Sequence, residues 1–349
     1  MSEMRSILVD QASRLMAGDA ADPFDQALWT RLQEAGLTTA SIAEAHGGSG
    51  ADLGDVLAIL REGGRHAIAV PLAETLMAAS LLSSSGLPVP PGPLTVAPVV
   101  AGERLSLERA GDVWHLSGSA RRVPLARLAA GLAALVEHDG KMLVASVPAP
   151  HIATRHENLA GEPRDDLRFD AVVAEIAPAP AETNDGALMV WGAFSHAVMM
   201  AGALDTVLEL TLRYANDRVQ FGRPIGKFQA IQQQVAVLAA HVACAGAAAD
   251  AAVAAAEQGD GTFEIACAKA RIGEAAGQAA AIAHQVHGAM GFTREHRLHR
   301  FTRRLWAWRD EYGDEAYWWG RIGRTAARLG GDGLWPFLTA RERTKTVAP

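Results

Sequence analysis

Apolar residues recur at helical spacing through the first part of the chain. ILVDQASRLMA (7–17) and DPFDQALWTRLQEAG (22–36) predict two helices, the second with Asp22 or Asp25 as N-cap and Gly36 as its stop. AHGGSGADLG (45–54) is a Gly-rich loop, and DVLAILREGGR (55–65) and PLAETLMAASLLSSSG (71–86) predict two further helices. At LPVPPGPL the prolines end the helical texture and mark a domain boundary.

Short β-like runs follow: LTVAPVV, ERLSLER, VWHLSGSA, GLAALVEHDGKMLVASVP and FDAVVAEI. The His138–Gly140 turn between LAALVE and KMLVASVP is a hairpin signal. LARLAAGLAALVE also reads as a helix, because alanine favours helices.

From Asn184 helical periodicity returns in four long segments and a final one, DEAYWWGRIGRTAARLG. Thr262 and Thr293 are candidate N-caps, Gly259 and Gly291 candidate C-caps. The fold class expected is therefore α+β multidomain. It comprises an N-terminal helical domain (1–88), a middle β-domain forming a small barrel or sandwich (89–183), and a C-terminal up-and-down four-helix bundle (184–349). The many alanines of the second and third bundle helices bury little area each, so a partner chain is expected to help cover the bundle.

Composition narrows the function classes. A formal charge of −7 argues against nucleic acid, which demands a basic surface. No run reads as the roughly 18 apolar residues of a membrane span, and MSEMRSILVDQ lacks the layout of a secretory signal. Two cysteines, Cys244 and Cys267, make neither a disulfide framework nor a zinc site. A cytoplasmic, metal-free protein is expected.

Two stretches carry chemistry. RYANDRVQFGRPIGKFQAIQQQVAVLA (213–239) ends one helix in an Arg-x-x-Phe-Gly turn and restarts at Phe228-Gln229. QVHGAMGFTREHRLHRFTRR (285–304) joins a Gly-rich turn to an Arg-rich helix. Singly these residues read as ordinary structure: Arg218 as a helix-end cation, Phe221 and Phe228 as core, Gln285 as a solvated amide, Gly288 and Gly291 as helix stops. Their order and spacing together, with LWTRLQEAGLTTASIAEAHGGSG near the start, resemble the acyl-CoA dehydrogenase family over nearly the whole chain.

That resemblance implies FAD. A dinucleotide's pyrophosphate favours a planar cation, and its adenine a flat apolar surface with amide partners. Arg218 would meet the pyrophosphate, Phe221 would flank the adenosine, and Gln220 or Gln229 would hydrogen-bond, with Ile225 and Phe228 completing the turn. Gln285 would reach the adenosine side beside Val286 and Ala289, with Gly288 allowing close backbone approach. In the family these groups serve the flavin of a neighbouring subunit. An acyl-CoA substrate and an electron-transferring flavoprotein are implied likewise.

The sequence departs from the family where the chemistry is done. Family members desaturate an acyl-CoA thioester to the 2-enoyl-CoA with a carboxylate base, which must reach the substrate α-carbon. The two positions at which they carry this base fall on Tyr312 and near Gly192. Glu311, then Asp314 and Glu315, are the neighbouring candidates; their plain reading is as helix-end and N-cap acids. The family's Thr-Glu-Pro-x-Ala-Gly-Ser-Asp loop is absent from VAPVVAGERL, and Arg121-Arg122-Val123-Pro124 stands where Trp-Ile-Thr is expected.

Four readings follow. The chain is the subunit of a heteromeric dehydrogenase that completes a neighbour's FAD site, resembling the paired enzymes of bacterial sterol and bile-acid degradation. It is a self-sufficient homo-oligomer using Glu311. It is a non-enzymatic assembly or acyl-CoA-binding homologue. Or it uses the fold for flavin monooxygenase or nitroalkane chemistry.

Overall fold

The computed structural model describes residues 3–18, 24–98, 103–148, 151–181 and 183–339. Four helices come first: α1 (Glu3–Met16), α2 (Gln26–Glu34), α3 (Leu53–His66) and α4 (Leu72–Ser84). Asp25 caps α2 by accepting from the Leu28 amide, and Gly36 follows its end with φ 73°. Asp22 lies outside the described residues.

The strands are β1 (Leu94–Ala97), β2 (Leu105–Ala110), β3 (Val113–Pro124), β4 (Gly131–His138), β5 (Lys141–Pro148), β6 (Ile152–Thr154) and β7 (Arg164–Pro178). Their order is β1-β4-β5-β7-β3-β2, with β6 on β7; β1 and β4 are parallel and the other pairs antiparallel. Asp139 and Gly140 both take positive φ, the type I′ geometry of a two-residue hairpin, as the His138–Gly140 turn predicts. The helical alternative for LARLAAGLAALVE gives way to β4, preceded by one 3₁₀ turn at Ala126–Leu128. Sheet pairing and burial of both faces override alanine's preference here.

The long strand β7 pairs with β3 along its body and with β5 at its end, and bends at a bulge around Ala171. That bend folds the sheet over a core that includes Leu116, Val123, Leu132, Val136, Val147 and Phe169, a small barrel-like sandwich.

Helices resume with α5 (Ala187–Asp217), α6 (Gln229–Gln258), α7 (Thr262–His287), α8 (Leu298–Asp310) and α9 (Glu315–Thr339). Between α5 and α6 lies a two-residue ribbon, β8 (Val219–Gln220) and β9 (Arg223–Pro224). Gly259 caps α6 as expected. Three capping expectations are corrected. Thr262 is the first helical residue of α7, and the Asp260 carboxylate accepts from its amide; Thr293 closes a 3₁₀ turn instead of opening α8; Gly288, at φ 59°, ends α7, while Gly291 lies inside that 3₁₀ turn. The last helix outruns its predicted end to Thr339, with a break at Gly330.

The N-terminal helices dock on the bundle through bare backbone. A Cβ on Gly64 would lie 1.9 Å from the Met199 carbonyl oxygen, and one on Gly202 would lie 2.0 Å from that of Arg61. Two glycines thus let α3 and α5 cross in contact. Arg61 and Arg65 of α3 flank the crossing by pairing with Asp205 of α5.

The expectation that no segment reaches membrane-spanning length is also corrected. Both α5 and α6 are long and apolar enough, but 78 % of the apolar window of α5 is buried inside the protein. In α6 the figure is 28 %, because its outer face is alanine with Val237 and Cys244 exposed.

Candidate functional site

Helices α5 and α7 are parallel, so the turn after α5 and the turn after α7 share one end of the bundle. The Tyr214 ring stacks on the His287 ring at 4.4 Å, and His287 meets His296 at 4.6 Å, which ties the two turns together. Burial holds His284, His287 and His296 below the ordinary histidine range.

The α5–α6 turn is held by its own backbone. The Ile225 amide donates to the Arg218 carbonyl at 2.8 Å, Gly222 takes φ 77°, and the Gln232 amide donates to the Gly226 carbonyl. Phe221 is 91 % exposed with φ 50°, so its ring projects into solvent edge-on to Phe228. The Arg223 guanidinium covers Phe228 at 4.2 Å. Arg218, Gln220, Gln229, Gln285, Gly288 and Ala289 are exposed, and Ile225 and Phe228 half-buried. Val286 is 5 % exposed and packed in the bundle, so its side chain faces inward and only its backbone reaches the turn. This end therefore gathers a cation, amides and an exposed aromatic ring, the groups a dinucleotide's phosphate and adenine halves need. Arg223, directly after the Phe221-Gly222 pair, is a second exposed cation in the same turn.

The other half of α5 is closed. A Cβ on Gly192 would lie 2.1 Å from Cδ1 of Tyr312, so the Tyr312 ring packs directly on the bare backbone of α5. Tyr312 is 7 % exposed, its hydroxyl makes no hydrogen bond among the described residues, and burial beside Glu74 pushes that hydroxyl well above the ordinary tyrosine range. Lys269 of α7 fixes the turn that presents Tyr312 by donating to the carbonyls of Arg309 (2.6 Å) and Gly313 (2.7 Å). Burial lowers this lysine to about 8.

Glu311 lies in an ion-pair cluster behind Tyr312. Arg164, fully enclosed at the start of β7, grips it through two nitrogens at 2.8 and 2.7 Å, and Asn158 donates to it at 2.8 Å. Arg164 also donates to Glu162 at 3.0 Å, and Glu162 in turn pairs with Arg304 and accepts from the Trp308 indole. Burial opposes the charge of Arg164, but Glu311 and Glu162 more than offset it and hold its pKa above the ordinary value. His196 stacks on Trp308, and burial, then Arg164, hold it well below its ordinary range. Glu74 of α4 completes the cluster; burial pushes it up to about 7. Helix α4, the β-domain and the bundle all meet here. Asp314 caps α9 through the Tyr317 amide, and Glu315 pairs with Arg309 at 2.9 Å. All three acidic candidates thus have structural partners.

Where Trp-Ile-Thr is expected, Arg121 and Arg122 form a bulge in β3. Arg122 takes φ 53°, Arg121 pairs with Glu103 at 2.7 Å, and Val123 turns into the barrel core. Of VAPVVAGERL, residues 99–102 lie outside the described residues.

Comparison with known proteins agrees with this architecture. Residues 3–87 match the acyl-CoA dehydrogenase N-terminal domain, and residues 186–326 match the acyl-CoA dehydrogenase C-terminal domain. The chain is 26 % identical over 318 residues to acyl-CoA dehydrogenase IpdE2 of Mycolicibacterium smegmatis, covering 87 % of this chain and 93 % of the relative. It is 28 % identical to IpdE2 of Mycobacterium tuberculosis, over 83 % and 82 % of the two chains. Among solved structures, the Tcur3481-Tcur3483 steroid ACAD superposes with a TM-score of 0.83 at 27 % identity, covering 93 % of this chain and 98 % of that one. A chain of the ChsE4-ChsE5 complex from Mycobacterium tuberculosis superposes with a TM-score of 0.84 at 24 % identity, over 94 % and 98 %. Order of domains, both signature turns and both domain matches lead to one conclusion: the chain belongs to the acyl-CoA dehydrogenase family.

Proposed function

We propose that this chain is a subunit of a heteromeric FAD-dependent acyl-CoA dehydrogenase, in which it completes a neighbour's cofactor site while the neighbour supplies the base. The observation that carries the reading is the contact of Tyr312 with Gly192, which leaves no room for a base at either family position. The nucleotide-side residues fit FAD; the residues facing the expected place of the flavin ring do not. FAD, when bound, supplies the hydride acceptor for desaturating an acyl-CoA. This chain's part is to bind and orient. Arg218 counters pyrophosphate charge, Phe221 offers the adenosine a flat apolar face, and Gln220, Gln229 and Gln285 offer amides. The paired names Tcur3481-Tcur3483 and ChsE4-ChsE5 support a two-chain assembly, and the former's description as a steroid enzyme supports a bulky, ring-bearing acyl group. We place the protein in the cytoplasm, with an electron-transferring flavoprotein as electron acceptor. The exposed alanine face of α6 is the natural surface for the partner.

The competing reading, a self-sufficient enzyme using Glu311, has against it that this carboxylate is already held by Arg164 and Asn158. Arg218→Ala, introduced into the assembled pair, tests the proposal. Flavin content is expected to fall at least tenfold while the pair stays assembled. Unchanged flavin content would overturn the assignment.

A further inference from the structure

A hollow lies between α3, α4 and α5, on other faces of α4 and α5 than those that meet the ion-pair cluster and Tyr312. Along α4, Glu74 turns toward the ion-pair cluster, whereas Ala73, Leu76, Met77 and Ser80 turn the other way. Along α5, Gly192 and His196 meet Tyr312, whereas Trp191, Phe194 and Ser195 face away. Both sets follow the i, i+3, i+4 spacing of one helix face. Between them, and closed by α3, is a cavity of about 150 Å³.

Its floor is apolar and fully enclosed: Leu57, Leu60, Ala73, Leu76 and Phe194 are each at most 4 % exposed. Its mouth is where exposure rises, at Ser80 and at Trp191, which is 44 % exposed. Of the hydroxyls in the wall, that of Ser41 donates to the Leu76 carbonyl and that of Ser195 to the Trp191 carbonyl. The Ser80 hydroxyl has no partner among the described residues. A dry apolar cavity of this size accommodates on the order of six to eight heavy atoms, as benzene-sized guests show.

We propose that this cavity binds a small apolar molecule, a ring or short branched chain, bearing one oxygen that hydrogen-bonds to Ser80 at the mouth. The site is separate from the Tyr312–Gly192 contact and does not depend on the heteromeric reading.

The test uses cyclohexanol and benzene as probes on the full chain, followed by saturation-transfer NMR and titration calorimetry. Cyclohexanol is expected to bind saturably at one site. Ser80→Ala is expected to weaken cyclohexanol about three- to tenfold, the loss of one hydrogen bond, and to leave benzene unchanged. Ala73→Leu, which fills the floor, is expected to abolish both. Absence of saturable binding to the wild-type chain would overturn the proposal, as would a Ser80→Ala chain that binds both probes as the wild type does. Should Ala73→Leu not fold, the Ser80→Ala comparison decides alone.

Discussion

Helix α5 has two unlike ends. Near its start, Gly192 is pressed against Tyr312, and the surroundings are buried charges that satisfy one another. At its finish, Arg218 opens a turn whose Phe221 ring stands in solvent and whose Arg218, Gln220 and Gln229 side chains are exposed. The first region satisfies its polar groups internally; the second leaves polar and aromatic side chains exposed. One helix thus carries a closed, tightly packed end and an open, solvent-exposed one. The contrast teaches that bare backbone permits close packing at one end of a helix, while a turn held by its own backbone keeps an aromatic ring in solvent at the other.

Breaking the closed end should have the largest effect. Arg164→Ala leaves Glu311 and Glu162 buried without their shared cation and is expected to cost about 3–5 kcal/mol, read from urea unfolding. Glu74 gives a pH signature. Its folded pKa, about 7, is raised above the unfolded value, so its contribution is fully present below about pH 4.5 and lost as pH rises through 7. The loss amounts to about 3 kcal/mol, and Glu74→Gln should flatten it, which thermal melts at pH 5 and pH 8.5 would show. Gly192→Ala drives a methyl into the Tyr312 ring and is expected to cost about 1–3 kcal/mol. Combining it with Tyr312→Leu should recover most of that, as a double-mutant cycle can measure. At the open end, Phe221→Ala should shift stability by less than about 0.5 kcal/mol, because the ring is exposed. In the assembled pair the same change should lower flavin content, and that dissociation of stability from occupancy is what distinguishes the two ends.

Much of this was legible in the sequence. Helical periodicity, the Asp139-Gly140 turn and the ordered signature turns led to the correct fold class, because each is a local signal with a fixed spacing. The absence of a carboxylate at Tyr312 and Gly192 was legible too. That these two residues touch was not, since Gly192 lies on α5 and Tyr312 in the α8–α9 turn, and only the packing of one against the other joins them. Glu311 stood out as a neighbour of Tyr312, but its ion pair with Arg164 was not legible, because Arg164 is remote in sequence. Glu74 and Lys269 gave no signal at all: each looks like an ordinary charged helix position, and only burial sets it apart. The inward turn of Val286 beside the exposed Gln285 gave no signal either, because both stand next to each other in one helical segment.

The central claim is that this chain lends half a cofactor site to a different chain. The most direct test is the flavin-to-protein ratio, with mass in solution, for the chain purified alone and after co-expression with a dehydrogenase-like partner. The account predicts little flavin on the chain alone and about one FAD per pair of unlike subunits in the complex. Stoichiometric flavin with turnover on an oligomer of this chain alone would contradict it.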